Sequence, residues 1–244
     1  MFTVVIPARY GSTRLPGKAL LRINGKPMIA WVWERAMRAG ADRVCIATDD
    51  VRIRDEMVGR GAEVQMTSAE HTSGTDRLAE VVQQLSLADD TIIVNLQGDE
   101  PLMPVANIQR VAAMLSEQSS ADMATLMEPL EHQEVAKASV VKVVASETGR
   151  ALYFSRAAIP SRRDDTAGAE CHRHIGLYAY RAQFLLRFVS WPPAAIELSE
   201  SLEQLRALAH DAHIHIELAP EATPIGVDTQ EDFDAIQQLL TDGE

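Results

Sequence analysis

The apolar run from Phe2 to Ile6 leads straight into the stretch PARYGSTRLPGK, residues 7 to 18, and that junction limits the fold more than any other part of the chain. A strand that breaks into a glycine-bearing turn and then a helix presents backbone N–H groups and a helix N-terminus at the carboxyl edge of a parallel sheet, a place where anions bind. Arg9, Arg14 and Lys18 add three full positive charges within the turn. Their mutual repulsion is offset when an anion or acidic neighbours stand beside them. The spacing is not that of a P-loop, because Gly11 and Gly17 are six residues apart and Lys18 is followed by Ala19 instead of a hydroxyl residue. Nor is it G-x-G-x-x-G, which disfavours a nicotinamide-linked oxidoreductase. A nucleoside triphosphate suits the cluster; a solvated basic loop whose glycines serve only the turn is the alternative.

Downstream, apolar runs alternate with segments of helical period, the pattern of a doubly wound parallel sheet. Pro27 opens a helix with Ile29, Val32, Trp33 and Ala36 on one face, ending near Gly40. RVCIATDD is the second strand; a short helix near 51–58 leads to the strand AEVQMT, and Leu78, Val81, Val82 and Leu85 mark the next helix. TIIVNLQGDEP reads as a buried strand ending in acid, followed by a helix carrying Val105, Ile108, Val111, Ala112 and Leu115. The rhythm then loosens into the strands DMATLM, SVVKVVA, ALYFSR and HIGLYAY, so residues of about 125–195 are expected to form a smaller lobe inserted into one domain spanning 1–244. The tail returns to order with a helix through Leu202, Leu205 and Leu208 or Ala209, the strand HIHIEL, and a last helix bearing Phe233, Ile236 and Leu240, capped by Thr229 with Asp232 three residues on.

Composition narrows the partners. With 23 basic against 35 acidic residues the net charge is −12, which argues against nucleic acid or a membrane surface and makes the local cations of the first turn more informative. No window holds the roughly 18–20 uncharged apolar residues of a spanning helix, and MFTVVIPARY has no basic n-region or cleavage site, so a cytoplasmic protein is expected. Cys45 lies in an apolar run and is expected in the core, while Cys171 lies in a polar segment; no disulfide framework follows. Cys171, His172 and His174 fall within four residues and match no paired zinc spacing.

Two carboxylates stand at the same sheet edge. Asp99 follows TIIVNL and Asp228 follows TPIGV just before a helix start, so both can reach the carboxyl end of one parallel sheet. Mg²⁺ commonly uses one or two protein carboxylates together with phosphate oxygens and water, which fits this pair; each could instead only end a strand or favour a helix N-terminus. Glu100 is expected to point away from the metal, and Asp49 and Asp50 to cap or to face solvent.

The strings PARYGSTRLPGK, HTSGTDR, NLQGDEP, ALYFSRAAIP, RHIGLYAY, LEQLRAL and GVDTQED occur in this order between residue 2 and about 236. In this the chain resembles the bacterial 3-deoxy-manno-octulosonate cytidylyltransferases, the CMP-Kdo synthetases. The resemblance implies an α/β, Rossmann-like nucleotidyltransferase fold with a mainly parallel twisted sheet, flanking helices and an inserted smaller lobe through which a homodimer forms. It implies CTP and an acidic octulosonate sugar as partners, with transfer of CMP to Kdo and release of pyrophosphate for lipopolysaccharide inner-core synthesis. Arg9, Ser12, Arg14 and Lys18 match the family's triphosphate loop, Ser73, Gly74, Thr75 and Arg77 the cytidine segment, and Asp99 and Asp228 the Mg²⁺ ligands. Lys18, Arg9, Asp99 and Asp228 are thereby implied as the catalytic set.

For the sugar, the resemblance points to Gln97, Arg156, Arg163, His174, Tyr178, Glu203 and Gln204, residue types able to meet a carboxylate and several hydroxyls. The chain departs from the family at Leu198, where a histidine is common, and at Ser161, where an aromatic is common. These departures keep a related acidic sugar, an amino-substituted octulosonate or a sialic acid, in view as the alternative substrate. A sugar-nucleotide-binding protein without catalysis is the alternative of a different class. No residue stands out as a covalent nucleophile, so direct transfer is expected.

Overall fold

The computed structural model describes residues 1–11, 15–161 and 170–242. The elements, in chain order, are β1 Phe2–Ala8, β2 Arg22–Ile23, β3 Lys26–Pro27, α1 Met28–Arg38, β4 Arg43–Thr48, α2 Val51–Val58, β5 Glu63–Met66, α3 Gly74–Gln84, β6 Ile92–Asn95 and α4 Val105–Glu117. They continue with β7 Met123–Pro129, β8 Lys142–Ala145, β9 Ala151–Ser155, β10 His172–Arg181, α5 Ala182–Ser190, α6 Ala195–Glu200, α7 Gln204–Ala209, β11 Ile214–Leu218 and α8 Gln230–Asp242.

The main sheet runs β11-β7-β10-β6-β1-β4-β5. The β1–β4, β4–β5 and β1–β6 pairs are parallel, as the βαβ rhythm requires, whereas β10 enters antiparallel between β6 and β7. Val4, Ile6 and Ala8 face one core with α1 and α4, while Val5 faces a second core with α3 and α5. A strand buried on both faces needs the near-continuous apolar run seen in FTVVIPA. The chain from β1 goes first to β4 on one side and later, through α3, to β6 on the other, so the crevice between the carboxyl ends of β1 and β6 is the switch point where such sheets bind ligands.

Residues 125–195 divide between two settings. β7 and β10 are full members of the main sheet, and β8 pairs off the path with β9 and the start of β10. Within this stretch lies α5, whose Phe184, Leu185 and Phe188 enter the second core; the loose strand pattern gave no sign of it. Cys45 and Cys171 are both buried and unpaired, so Cys171 belongs inside, contrary to its polar neighbours. At the C-terminus, Thr229 Oγ1 accepts from Asp232 N–H at 3.2 Å and Asp232 Oδ2 accepts from Thr229 N–H at 2.8 Å, the expected capping box of α8. Phe233 and Ile236 then pack on Ile23 and Met28, which ties the segment carrying Asp228 to the start of the chain. Among the described residues no helix is long and apolar enough to cross a membrane.

Candidate active site

Three chain segments converge at the β1–β6 crevice. At Gly98 an added Cβ would lie 2.9 Å from the carbonyl oxygen of Pro7, so only glycine lets the exit of β6 pass this close to the exit of β1. Lys18 follows the left-handed Gly17 and reaches across the gap. Its Nζ donates to Asp99 Oδ2 at 2.6 Å, to Val227 O at 2.8 Å and to Asp228 Oδ1 at 3.2 Å. Asp99 O also accepts from Val227 N–H at 2.9 Å. The two aspartates, remote in sequence, thus flank one ammonium at the sheet edge.

A cavity of about 250 Å³ opens on one side of this seam, lined by Arg9, Lys18, Ser73, Gly74, Gln97, Asp99 and Asp228 among others. Arg9 is exposed and forms no ion pair with any described residue. Ser73 is the N-cap of α3, its hydroxyl accepting from Asp76 N–H at 3.1 Å, so the positive end of an eleven-residue helix opens at the cavity. Gly74 follows, its ideal Cβ only 3.2 Å from the Pro7 ring, which keeps that helix end against β1. Ser12 and Arg14 lie outside the described residues. Arg77 lines the cavity but is buried, and its guanidinium donates to Asp49 Oδ2 and Thr67 Oγ1, each at 2.8 Å, and to Ser68 O at 3.1 Å. Its donors therefore fasten α3 to the ends of β4 and β5. Asp49 is accordingly an internal ion-pair partner, whereas Asp50 caps α2 as expected.

A larger cavity of about 640 Å³ adjoins the first and shares Asp99 and Asp228 with it. His174, Tyr178 and Gln204 line it, and so do Glu100 and Arg173, which sequence reasoning did not assign to a site. Arg173 lies within 2.5 Å of Glu128 Oε1 and donates to Thr223 O at 2.5 Å. The Glu100 carboxyl is pushed up to about 8 by burial first and by the neighbouring Asp99 charge second. Burial holds the imidazole of His174 neutral, pushing it down to about 3, and raises the Tyr178 phenol.

Gln97 faces the smaller cavity and donates to Asn95 Oδ1 at 2.9 Å. Glu203 accepts from Thr75 Oγ1 at 2.5 Å, and burial raises its carboxyl above the ordinary range. Thr75 and Glu203 thus lock α3 to the segment before α7. Arg156 directs its guanidinium at backbone carbonyls of Glu200, Ala138 and Ser201, at 2.8, 3.1 and 3.3 Å, and lines neither cavity. Arg163 lies outside the described residues. Leu198 is 66% exposed on α6 and Ser161 is exposed; neither of these departures from the family pattern lines either cavity.

The donor set suits a hard divalent cation. Lys18 already supplies a positive charge to both aspartates, so their carboxylates converge where a cation is held. Among the described residues no cluster of three or more His, Cys, Asp or Glu side chains could cage a metal, so two carboxylates would leave the other positions to phosphate oxygens and water, the habit of Mg²⁺.

The family model described as cytidylyltransferase matches residues 3–214. The 3-deoxy-manno-octulosonate cytidylyltransferase of Pseudomonas fluorescens strain Pf-5 is 56% identical over 248 residues, covering 98% of each chain, and that of Vibrio vulnificus strain CMCP6 is 54% identical with the same coverage. A solved structure of CMP:2-keto-3-deoxy-manno-octonic acid synthetase complexed with CTP superposes with a TM-score of 0.95 at 40% identity over the whole of both chains. A cytidylyltransferase from Leptospira borgpetersenii, 17% identical with a TM-score of 0.65, has the same fold.

Proposed function

The chain belongs to the 3-deoxy-manno-octulosonate cytidylyltransferase family, and on that premise we propose how its two cavities divide the reaction. The enzyme transfers CMP from CTP to Kdo and releases pyrophosphate. The smaller cavity takes the nucleotide and the larger one the sugar acid, with Asp99 and Asp228 on the wall between them. That shared wall is the observation that carries the reading: the two substrates must meet at the α-phosphorus, and among the described residues only these two aspartates line both cavities.

The sugar's anomeric 2-hydroxyl oxygen forms a bond to the α-phosphorus of CTP, the bond from that phosphorus to the bridging oxygen of pyrophosphate breaks, and the hydroxyl proton passes to solvent. The main obstacle is charge, because a polyanionic triphosphate must approach an anionic sugar. Arg9 and Lys18, helped by the N-terminus of α3, lower that repulsion and stabilise charge on the departing pyrophosphate. Mg²⁺, held by Asp99 and Asp228, would supply further charge neutralisation at the phosphates. Lys18, whose ammonium stands between the two aspartates, would donate to a phosphate oxygen of the bound nucleotide. Ser73 and Gly74 orient the nucleotide, and His174, Tyr178 and Gln204 the sugar hydroxyls; Gln97, which the resemblance assigns to the sugar, takes the nucleotide side in this reading because it lines the smaller cavity. Holding the two substrates side by side supplies much of the remaining acceleration. Ser12, Arg14 and Arg163 belong to the same reading, as do a homodimer, a cytoplasmic location and use of the product in lipopolysaccharide inner-core synthesis.

Pyrophosphate release, measured with Mg²⁺ against a panel of nucleoside triphosphates and ulosonic acids, tests the assignment. The expected result is turnover with CTP and Kdo and at least tenfold lower kcat/KM with a sialic acid; equal turnover of the two sugars would overturn the sugar assignment.

A further inference from the structure

β10 is irregular where it passes the larger cavity. Ile175 pairs with Leu126 and Tyr178 with Thr125, so two extra residues, Gly176 and Leu177, are accommodated opposite a single step of β7. A bulge of this kind takes backbone carbonyls out of the ladder. Both displaced carbonyls, those of Ile175 and Leu177, aim at one atom, the Thr125 hydroxyl, at 3.0 and 2.9 Å. The same oxygen lies 2.9 Å from Nε2 of His174. Thr125 is fully buried.

Proton counting settles the directions. Carbonyl oxygens only accept, so the single hydroxyl proton of Thr125 must serve the two bulge carbonyls. The hydroxyl oxygen is then left as an acceptor, and the proton in its bond to the imidazole comes from the ring. A neutral histidine carries one N–H, which places it on Nε2 and leaves Nδ1 as an acceptor. His174 lines the larger cavity, its ring braced edge-on by Phe154 at 4.8 Å between centroids.

We propose that Thr125 is a positioning residue for sugar recognition: its hydroxyl closes the β10 bulge and fixes His174 as the Nε2–H tautomer, so that Nδ1 accepts a hydrogen bond from a sugar hydroxyl. The proposal rests on the reading of the larger cavity as the sugar site, and its two halves are separable by experiment. The tautomer is read by nitrogen NMR of the wild-type enzyme with ¹⁵N-labelled histidine and no substrate. A protonated Nε2 and an unprotonated Nδ1 at His174 are expected near neutral pH; the opposite tautomer would overturn the proposal without recourse to any variant.

Thr125→Val keeps the shape and removes the hydroxyl. It is expected to disturb the His174 signals, to raise KM for Kdo about tenfold and to leave KM for CTP within twofold, while Thr125→Ser restores wild-type values of all three. Should the valine variant not fold, Thr125→Cys serves, because a thiol donates weakly to the carbonyls but accepts poorly from the ring. Unchanged His174 signals and unchanged KM for Kdo in a folded variant would overturn the proposal. Altered signals with an unchanged KM for Kdo would overturn the sugar-facing role of His174 and leave only the tautomer assignment standing.

Discussion

The two cavities meet at the same pair of aspartates but are built by different means. The smaller one is assembled at the ends of parallel strands: Arg9 directly follows β1, Gln97 and Asp99 follow β6, and Ser73 caps the helix leading out of β5. Each residue is placed by the strand or helix it adjoins, and the exits of β1 and β6 are held together by backbone packing at Gly98. The larger cavity depends on an antiparallel strand with a bulge and on segments around Ser139, Gln204 and Pro224 that are far apart in the chain. Its walls are joined by side chains, among them Arg173, which lines it and donates to the carbonyl of Thr223, another lining residue, at 2.5 Å. The nucleotide side is thus a property of the sheet, whereas the sugar side is a property of hydrogen bonds that cross it.

The largest expected effects fall on the wall common to both. Asp99→Asn keeps the volume and removes the charge, and kcat should drop on the order of 10³-fold while circular dichroism and melting temperature stay close to wild type. Retained turnover at physiological magnesium would dissolve the shared wall and the division of labour with it. Lys18→Met should lower kcat/KM for CTP by about 10²-fold, with a much smaller change in KM for Kdo. An equal loss toward both substrates would show that Lys18 does not belong to the nucleotide side alone.

This contrast also explains what could be read from the amino-acid order. Strand ends, the glycine turn and the α8 capping box are local, so β1, β4, β6, Lys18 and Asp99 were visible in short stretches. Arg77 and Arg156 show where such reading stops. Their types suit an anion, yet Asp49 and the carbonyl of Glu200, which engage them, are brought near only by the tertiary fold. Arg173 and Glu100 escaped for the converse reason, since an arginine in a strand and an acid beside a proline carry no local mark of the cavity they share. Thr125 sits in DMATLM, an apolar-looking strand, and its value comes from a bulge in β10 fifty residues later. The helix α5 was hidden because AQFLLRFVS follows β10 without a turn residue between them.

Gly98→Ala tests the claim that the nucleotide side is held by backbone packing. Because the new methyl would meet the Pro7 carbonyl at 2.9 Å and Ile29 Cδ1 at 3.3 Å, β1 and β6 must part slightly. A loss of about 1–3 kcal/mol in stability is expected, read as a drop in melting temperature of about 2–4 °C for each kcal/mol, together with a rise in KM for CTP. Unaltered stability would mean that the seam is softer than the contact distances imply.

The smallest effect concerns the sugar side and is read in stability alone. His174 is held neutral in the fold, with burial pushing its pKa down to about 3, against about 6.5 for a free imidazole. Between those values the unfolded chain binds the extra proton and the folded one does not. The contribution of His174 is therefore complete above about pH 6.5 and is lost as the pH falls toward 3. From pH 7 to 5 that loss amounts to at most about 2 kcal/mol. His174→Gln removes the titration, so denaturant unfolding of the variant should show a flatter stability profile over this interval than the wild type, most of the difference lying below pH 6. Parallel profiles would mean that the ring takes up its proton in the folded state, and a protonated ring cannot present Nδ1 as an acceptor. The sugar side would then greet its substrate with a cation in place of a lone pair, and its likeness to the nucleotide side, where positive charge does the recognising, would be greater than the structure indicates.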